Sequence, residues 1–268
     1  MLKYDIDTLD IKKIADSGQT FRMFPSNSAE PLKYRCFAAD KACTAGNGVI
    51  DCAEEENSFW QAYFDLDTDY EAVIDSIDPG DTYLCAAADE GRGIRILRQD
   101  PWEMLITFII SQRRSIPSIK TCTESLCRAF GAYIDPDGKN EEGHFAFPSP
   151  EALAQASMEK LASCGLGYRT EYVYLASKAV AEGSLDLKSL ADLSDEALLE
   201  ALMSLRGVGP KVANCVSLFG FYRIGAFPID VWIDRVLKEH YPLGFPFERY
   251  EGYAGILQQY MFYAARKH

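Results

Sequence analysis

Two side chains in the stretch LRGVGPKVANCVSLFGFYRIGAFPID (205–230) are of a kind that does chemistry together: the amine of Lys211 and the carboxylate of Asp230. An amine attacks carbon only when unprotonated, so a site that uses one must disfavour the ammonium, by burial or by the positive end of a helix dipole. Lys211 falls in the first turn of a helical pattern, where the dipole opposes a positive charge. A carboxylate facing that amine would stabilise positive charge on a sugar as a glycosidic bond breaks. Each residue also has a plainer reading. Lys211 would be a solvated surface lysine. Asp230 would be an N-cap before the apolar-periodic run VWIDRVLKEHY, worth about 1 kcal/mol. Spacing alone does not separate these readings.

The elements that would position the pair are local. A helical pattern ends at Leu205 and is followed by Arg206-Gly207-Val208-Gly209-Pro210-Lys211. Gly207 and Gly209 can take φ > 0 and let a ligand approach the backbone. Pro210 suits the first turn of the next helix, where a missing N–H costs nothing. The unpaired N–H groups of that turn form an anion site. Helix, glycine hairpin and helix at this spacing, about 195–220, form the helix–hairpin–helix signature, a grip on the DNA backbone that is not sequence-specific. The alternative is an ordinary αα-hairpin with a glycine turn.

Bulk properties narrow the classes. With 268 residues, 48% hydrophobic and 25% charged, the chain can bury a large core in one or two domains. The start, MLKYDIDTLDIKKIADSG, interleaves charge with apolar residues and has no apolar signal-peptide core, and no window approaches the ~18 apolar residues of a membrane span. The eight cysteines include no CxxC pair, and only Cys215 follows Lys211, which excludes a four-cysteine iron–sulfur loop there. They read as reduced thiols of a cytoplasmic protein, at the nucleoid if the source is prokaryotic. A net charge of −13 opposes long-range steering toward nucleic acid. The acid is concentrated, however: residues 1–90 carry 7 basic and 19 acidic side chains, residues 91–268 carry 20 and 21. The expectation is weak, salt-sensitive non-specific DNA binding by the near-neutral remainder.

The first fifty-odd residues read as strands: GQTFRMFP (18–25), KYRCFAAD (33–40) and GNGVIDCA (46–53), separated by Pro, Ser, Asn and Gly turns. After Glu54-Glu55-Glu56 helical periodicity takes over. Asp100-Pro101 starts one helix, and Ser149-Pro150 a second through EALAQASMEKLASCG. Ser194 starts a third, its capping box incomplete because Ala197 stands where a glutamate would; a last helix runs from Arg249 to Lys267. The predicted fold is α+β: a small antiparallel β-rich domain over 1–56, then a larger all-helical body over 57–268.

These segments together resemble the helix–hairpin–helix (HhH-GPD) DNA glycosylase superfamily. The hairpin, Lys211 and Asp230 carry the first part of the likeness. SGQTFRMF (17–24), RILRQDPWEMLITFIISQ (95–112), GLGYRTEYV (165–173) and YAGILQQYMF (253–262) narrow it to 8-oxoguanine DNA glycosylases with AP lyase activity, of a bacterial or archaeal-like variant. The likeness covers nearly the whole chain. It implies that Lys211 is the amine nucleophile and that Asp230 stabilises the sugar cation while capping its helix. The Gly18 carbonyl would accept the N7 proton that 8-oxoguanine has and guanine lacks. Gln258 would bind the Watson–Crick edge of the extruded base, and Phe262 and Cys215 would pack on its two faces. Tyr168 and Arg169 would fill the gap and contact the orphaned cytosine. Read without the likeness, Gly18 is a turn before a strand, Phe262 and Cys215 are core, nothing separates Gln258 from its neighbour Gln259, and Tyr168-Arg169 cap the helix that begins there.

The chain departs from the family pattern in three places. Arg113-Arg114-Ser115 stands where the better-known eukaryotic members carry an asparagine-rich run, so Arg113 replaces the asparagine that reads the orphaned cytosine. A guanidinium offers donors only, and Arg113 and Arg114 are equally readable as phosphate ligands. Trp232 stands where a histidine is expected. Tyrosine and alanines follow Phe262 where an acidic residue is expected. The partner implied is duplex DNA containing 8-oxoguanine, bound by a monomer away from membranes. No metal or organic cofactor is implied for bond cleavage; a monovalent cation on the hairpin carbonyls stays open. The rivals are a helix–hairpin–helix glycosylase for another damaged base and a non-catalytic DNA-binding module.

Overall fold

The computed structural model describes residues 1–5, 7–26, 32–134 and 144–267. Five strands, β1 (Leu2–Lys3), β2 (Met23–Pro25), β3 (Tyr34–Ala38), β4 (Lys41–Gly46) and β5 (Val49–Asp51), form one antiparallel sheet in the order β1-β5-β4-β3-β2. Three of them fall in the expected segments. The other two went unseen for physical reasons: β1 is only two residues long, and β4 reads KACTAG, poor in β-branched residues, and is held by its pairing with β3, Cys36 opposite Cys43. A short helix, Ile11–Asp16, also lies among the strands, started by Asp10, whose carboxylate accepts the Lys13 N–H. Of the turn expected between the first two strand segments, residues 27–31 lie outside those described.

The sheet packs Leu9, Ile14, Met23, Cys36 and Ile50 against Trp60, Tyr63 and Phe64 of the region Asn57–Tyr63 and its end. The body is not all-helical as expected, since Tyr133–Ile134 and His144–Phe145 pair as a two-stranded antiparallel sheet; it has its own larger core, built around the helix Pro101–Ser111, in which every residue from Trp102 to Ser111 is buried. WEMLITFIIS is apolar on nearly all faces, as a central helix must be. Asp100 caps it through the Glu103 N–H and Pro101 opens it, as expected. Against it packs the helix Pro210–Phe219, Phe108 stacking on Phe219 with centroids 5.5 Å apart.

Two expected helices are broken. The segment after Ser149 forms Pro150–Ala154 and then Met158–Ser163, because Ser157 caps anew on the Lys160 N–H. The C-terminal segment is a 3-10 turn, Phe247–Tyr250, followed by the helix Ala254–Ala265; Gly252, at φ +84°, interrupts them. Among the described residues no helix is long and apolar enough to cross a membrane, and all eight cysteines are free thiols.

Sheet and body meet at the turn Ser17–Arg22. Phe21 leaves the sheet core and meets Phe108 edge-on at 5.6 Å. Gln19 is fully buried: its amide donates to Ser17 Oγ (3.0 Å) and the Arg95 carbonyl (2.9 Å) and accepts the Leu97 N–H (2.9 Å). Its own carbonyl accepts from Gln99 Nε2 at 2.9 Å. This buried network holds the preceding residue, Gly18, in one place.

Candidate active site

The hairpin supplies the first half of the site. The helix Asp195–Met203, capped by Ser194, leads into it, and Gly207 turns at φ +86°. A Cβ there would lie 2.4 Å from the Tyr172 ring, so only glycine fits. Gly209 differs from the expectation: it is extended, φ −100° and ψ −179°, and caps the next helix with open space around it. Pro210 then opens that helix and Lys211 follows one residue in.

Lys211 is half-buried, its Nζ 5.2 Å from the Phe108 ring centroid, so the amine points into the protein. One turn on, Cys215 is buried; burial pushes its thiol up, against the pull of the neighbouring Lys211 ammonium, and the sulfur presents a neutral packing surface. Asp230 caps the helix Val231–His240, its Oδ1 accepting from the N–H groups of both Trp232 and Ile233 at 3.0 Å. Its Oδ2 has no hydrogen-bond partner among the described residues and is available to a developing charge.

Two connected spaces meet at these residues. The outer one is a cleft of about 870 Å³ bordered by Arg113, Arg114, Ile116, Trp232 and Arg266. The inner one, about 50 Å³, is walled by Gly18, Lys211, Cys215, Asp230, Gln258 and Phe262. Gly18, Phe108, Lys211, Asp230 and Phe262 line both. Gly18 has φ +76°, and among the described residues no protein donor reaches its carbonyl. Gln258 is buried and donates from Nε2 to the Pro228 carbonyl at 2.8 Å. Residues from positions 18 to 262 are thus drawn to one cavity.

The remaining candidates divide. Tyr168 is 54% exposed, whereas Arg169 is only 5% exposed and lies behind it, its guanidinium 4.2 Å from the Tyr168 ring centroid. Arg169 donates to the carbonyls of Leu166 and Gln112, so in this conformation it supports Tyr168 and does not reach the cleft. Arg113 is exposed at the cleft with φ +53°, while Arg114 is tied to the Gly165 carbonyl and to Ser118 Oγ (3.4 Å). Trp232 is half-buried on the cleft wall with the Arg235 guanidinium 5.1 Å from its ring.

Sequence reasoning missed two glutamines here and passed over a third. Gln19 fixes the Gly18 turn. Gln112 donates to the Gly207 carbonyl at 3.0 Å and so ties the hairpin to the central helix. Gln259 lies in the inner cavity beside Gln258. Each sits within or beside a segment already marked, but a glutamine's role depends on which carbonyl faces it, and that is tertiary information.

Fold and site together define a DNA base-excision protein of the helix–hairpin–helix class. Two family models match the chain: the N-terminal domain of 8-oxoguanine DNA glycosylase over residues 1–105, and the HhH-GPD superfamily base excision DNA repair protein over 106–245. An N-glycosylase/DNA lyase of Saccharomyces cerevisiae is 35% identical over 73% of this chain, and a probable N-glycosylase/DNA lyase of Methanothermobacter thermautotrophicus 32% identical over 76%. The chain spans 54% of the length of the yeast relative and 73% of the archaeal one. The 8-oxoguanine glycosylase/lyase of Clostridium acetobutylicum, solved with double-stranded DNA bearing cytosine opposite 8-oxoguanine, superposes with a TM-score of 0.88 at 33% identity, covering 97% of this chain and 93% of that one. The chain belongs to the 8-oxoguanine DNA glycosylase/AP lyase family of the HhH-GPD superfamily.

Proposed function

We propose that this chain excises 8-oxoguanine from duplex DNA and then nicks the strand at the resulting site. One observation carries the reading: an amine, a carboxylate, an unpaired carbonyl, an amide, a thiol and an aromatic ring, on Lys211, Asp230, Gly18, Gln258, Cys215 and Phe262, converge on one inner cavity beneath a cleft. The extruded base enters between Cys215 and Phe262. The Gly18 carbonyl accepts the N7–H of the lesion; normal guanine sets a lone pair against that carbonyl, leaving it buried and unsatisfied.

Neutral Lys211 Nζ attacks C1′. The N-glycosidic bond breaks, its electron pair leaves with the base, and the base takes up a proton. Asp230 stabilises the positive charge on the sugar as the bond lengthens. The amine adduct loses a proton and opens to a Schiff base. Removal of a C2′ proton then expels the 3′ phosphate, and hydrolysis of the imine frees the lysine. In the DNA complex the hairpin at Gly207 and Gly209 grips backbone phosphate. Arg113, Arg114 and Trp232 border the strand, and Tyr168, backed by Arg169, fills the vacated gap. The enzyme acts as a monomer in the cytoplasm, at the nucleoid in a prokaryote.

The test is incubation with labelled duplexes carrying 8-oxoguanine opposite each of the four bases, with and without alkali. Release of the lesion with alkali-independent nicking is expected. Release of alkylated or oxidised pyrimidine bases with indifference to 8-oxoguanine would overturn the substrate.

A further inference from the structure

The inner cavity holds one polar atom that the proposed chemistry does not use. Gln258 and Gln259, consecutive on the helix Ala254–Ala265, are both 3% exposed and both line the cavity. Their amides form a chain whose direction one carbonyl sets. The Pro228 oxygen can only accept, so Gln258 turns its NH2 toward it (2.8 Å). That leaves Gln258 Oε1 facing Gln259, which donates its own NH2 to it (3.3 Å). Gln259 Oε1 is then left over. It is buried, with no hydrogen-bond donor among the described residues. A buried acceptor without a donor is costly, and one carried by a residue that lines a cavity is satisfied when a ligand that opens the cavity brings the donor.

We infer that Gln259 is a specificity residue that accepts a hydrogen bond from the exocyclic 2-amino group of the extruded base. The inference rests on the reading of 8-oxoguanine as substrate. That base carries three donors, at N7, at N1 and on the 2-amino group. The residues that line the cavity carry three acceptors, the Gly18 carbonyl, Gln258 Oε1 and Gln259 Oε1. Gln259 thereby makes the pocket select a guanine-type edge, which adenine, with an acceptor at N1, cannot match.

Single-turnover release is measured from duplexes carrying 8-oxoguanine or 8-oxohypoxanthine, which differ only in the 2-amino group. The wild-type chain should prefer 8-oxoguanine by about tenfold or more. Gln259→Met should slow 8-oxoguanine and spare 8-oxohypoxanthine, bringing the preference close to unity. Gln259→Glu, a neutral carboxylic acid when buried, keeps one donor and one acceptor and should retain the preference. An unchanged preference in Gln259→Met, or equal slowing of both substrates, would overturn the inference. If Gln259→Met does not fold, loss of the preference in a folded Gln259→Glu does the same. A wild-type chain that releases no 8-oxoguanine defeats the substrate reading itself, and is told apart by that first measurement.

Discussion

Gly18 and Phe262 face one another so closely that a β-carbon on the glycine would lie 3.2 Å from Cε1 of the ring. The contact joins the turn that follows the first helix to the last helix of the chain. In the proposed function it also closes the slot through which the extruded base would pass.

Gly18→Ala therefore adds a methyl where the ring has to move and places a side chain at φ +76°. Stability should fall by about 1 kcal/mol. kcat/KM for 8-oxoguanine should fall much further, by about ten- to a hundredfold, as expected when a buried hydrogen bond is misplaced. Thermal melts and single-turnover assays check the two numbers separately.

Lys211→Gln nearly keeps the length of the side chain and removes the proposed nucleophile. Base release and nicking should both disappear while DNA binding persists. Borohydride should trap a covalent protein–DNA adduct with the wild-type chain and none with the variant; an adduct that survives would assign the amine elsewhere.

Asp230 has an observed job and a proposed one, the cap and the sugar charge, that substitution separates. Asn retains an oxygen for the Trp232 and Ile233 N–H groups, so Asp230→Asn should melt within a few tenths of a kcal/mol of wild type, while Asp230→Ala should lose about 1 kcal/mol. Both should lose activity by about a hundredfold or more, because both lose the charge.

Arg113 is exposed on the cleft in a chain with net charge −13. Arg113→Ala should weaken duplex binding uniformly across the four opposing bases and flatten the plot of log affinity against log salt by about one unit. A loss confined to cytosine would instead mark it as a base reader.

Glu103, on the central helix, is buried, and burial pushes its carboxyl up to about 7 against the pull of Arg22. The folded state thus holds its proton when the unfolded chain, near ~4.3, has lost it. Its stability term is complete below ~4.3, falls as pH rises to about 7, and is constant above. Glu103→Gln should remove that fall. Relative to wild type it should gain, between pH 4 and pH 8, on the order of 3 kcal/mol in urea midpoints converted to free energy.

The features legible in the sequence are those set by near neighbours. Asp100, Ser149, Ser194 and Asp230 all cap the helices they precede, because a cap is a contact over two or three residues. The Lys211 turn was legible for the same reason. Strand β4 was not, since its partner rather than its composition makes it a strand. The interruptions at Ser157 and Gly252 were missed because a helical period runs through both. The meeting of Gly18, Gln258 and Phe262 at Lys211 was readable only through likeness to a family, as no local rule brings position 18 to position 262. The burial of Arg169 and the reach of Gln19 and Gln112 depend on carbonyls far along the chain.

The inner cavity, at about 50 Å³, has room for a few water molecules and none for a purine. Compound screens on the DNA-free protein will therefore reach the outer cleft and not the inner cavity. An inhibitor that occupies the proposed base site has to displace Phe262, and its apparent affinity will carry the cost of that displacement.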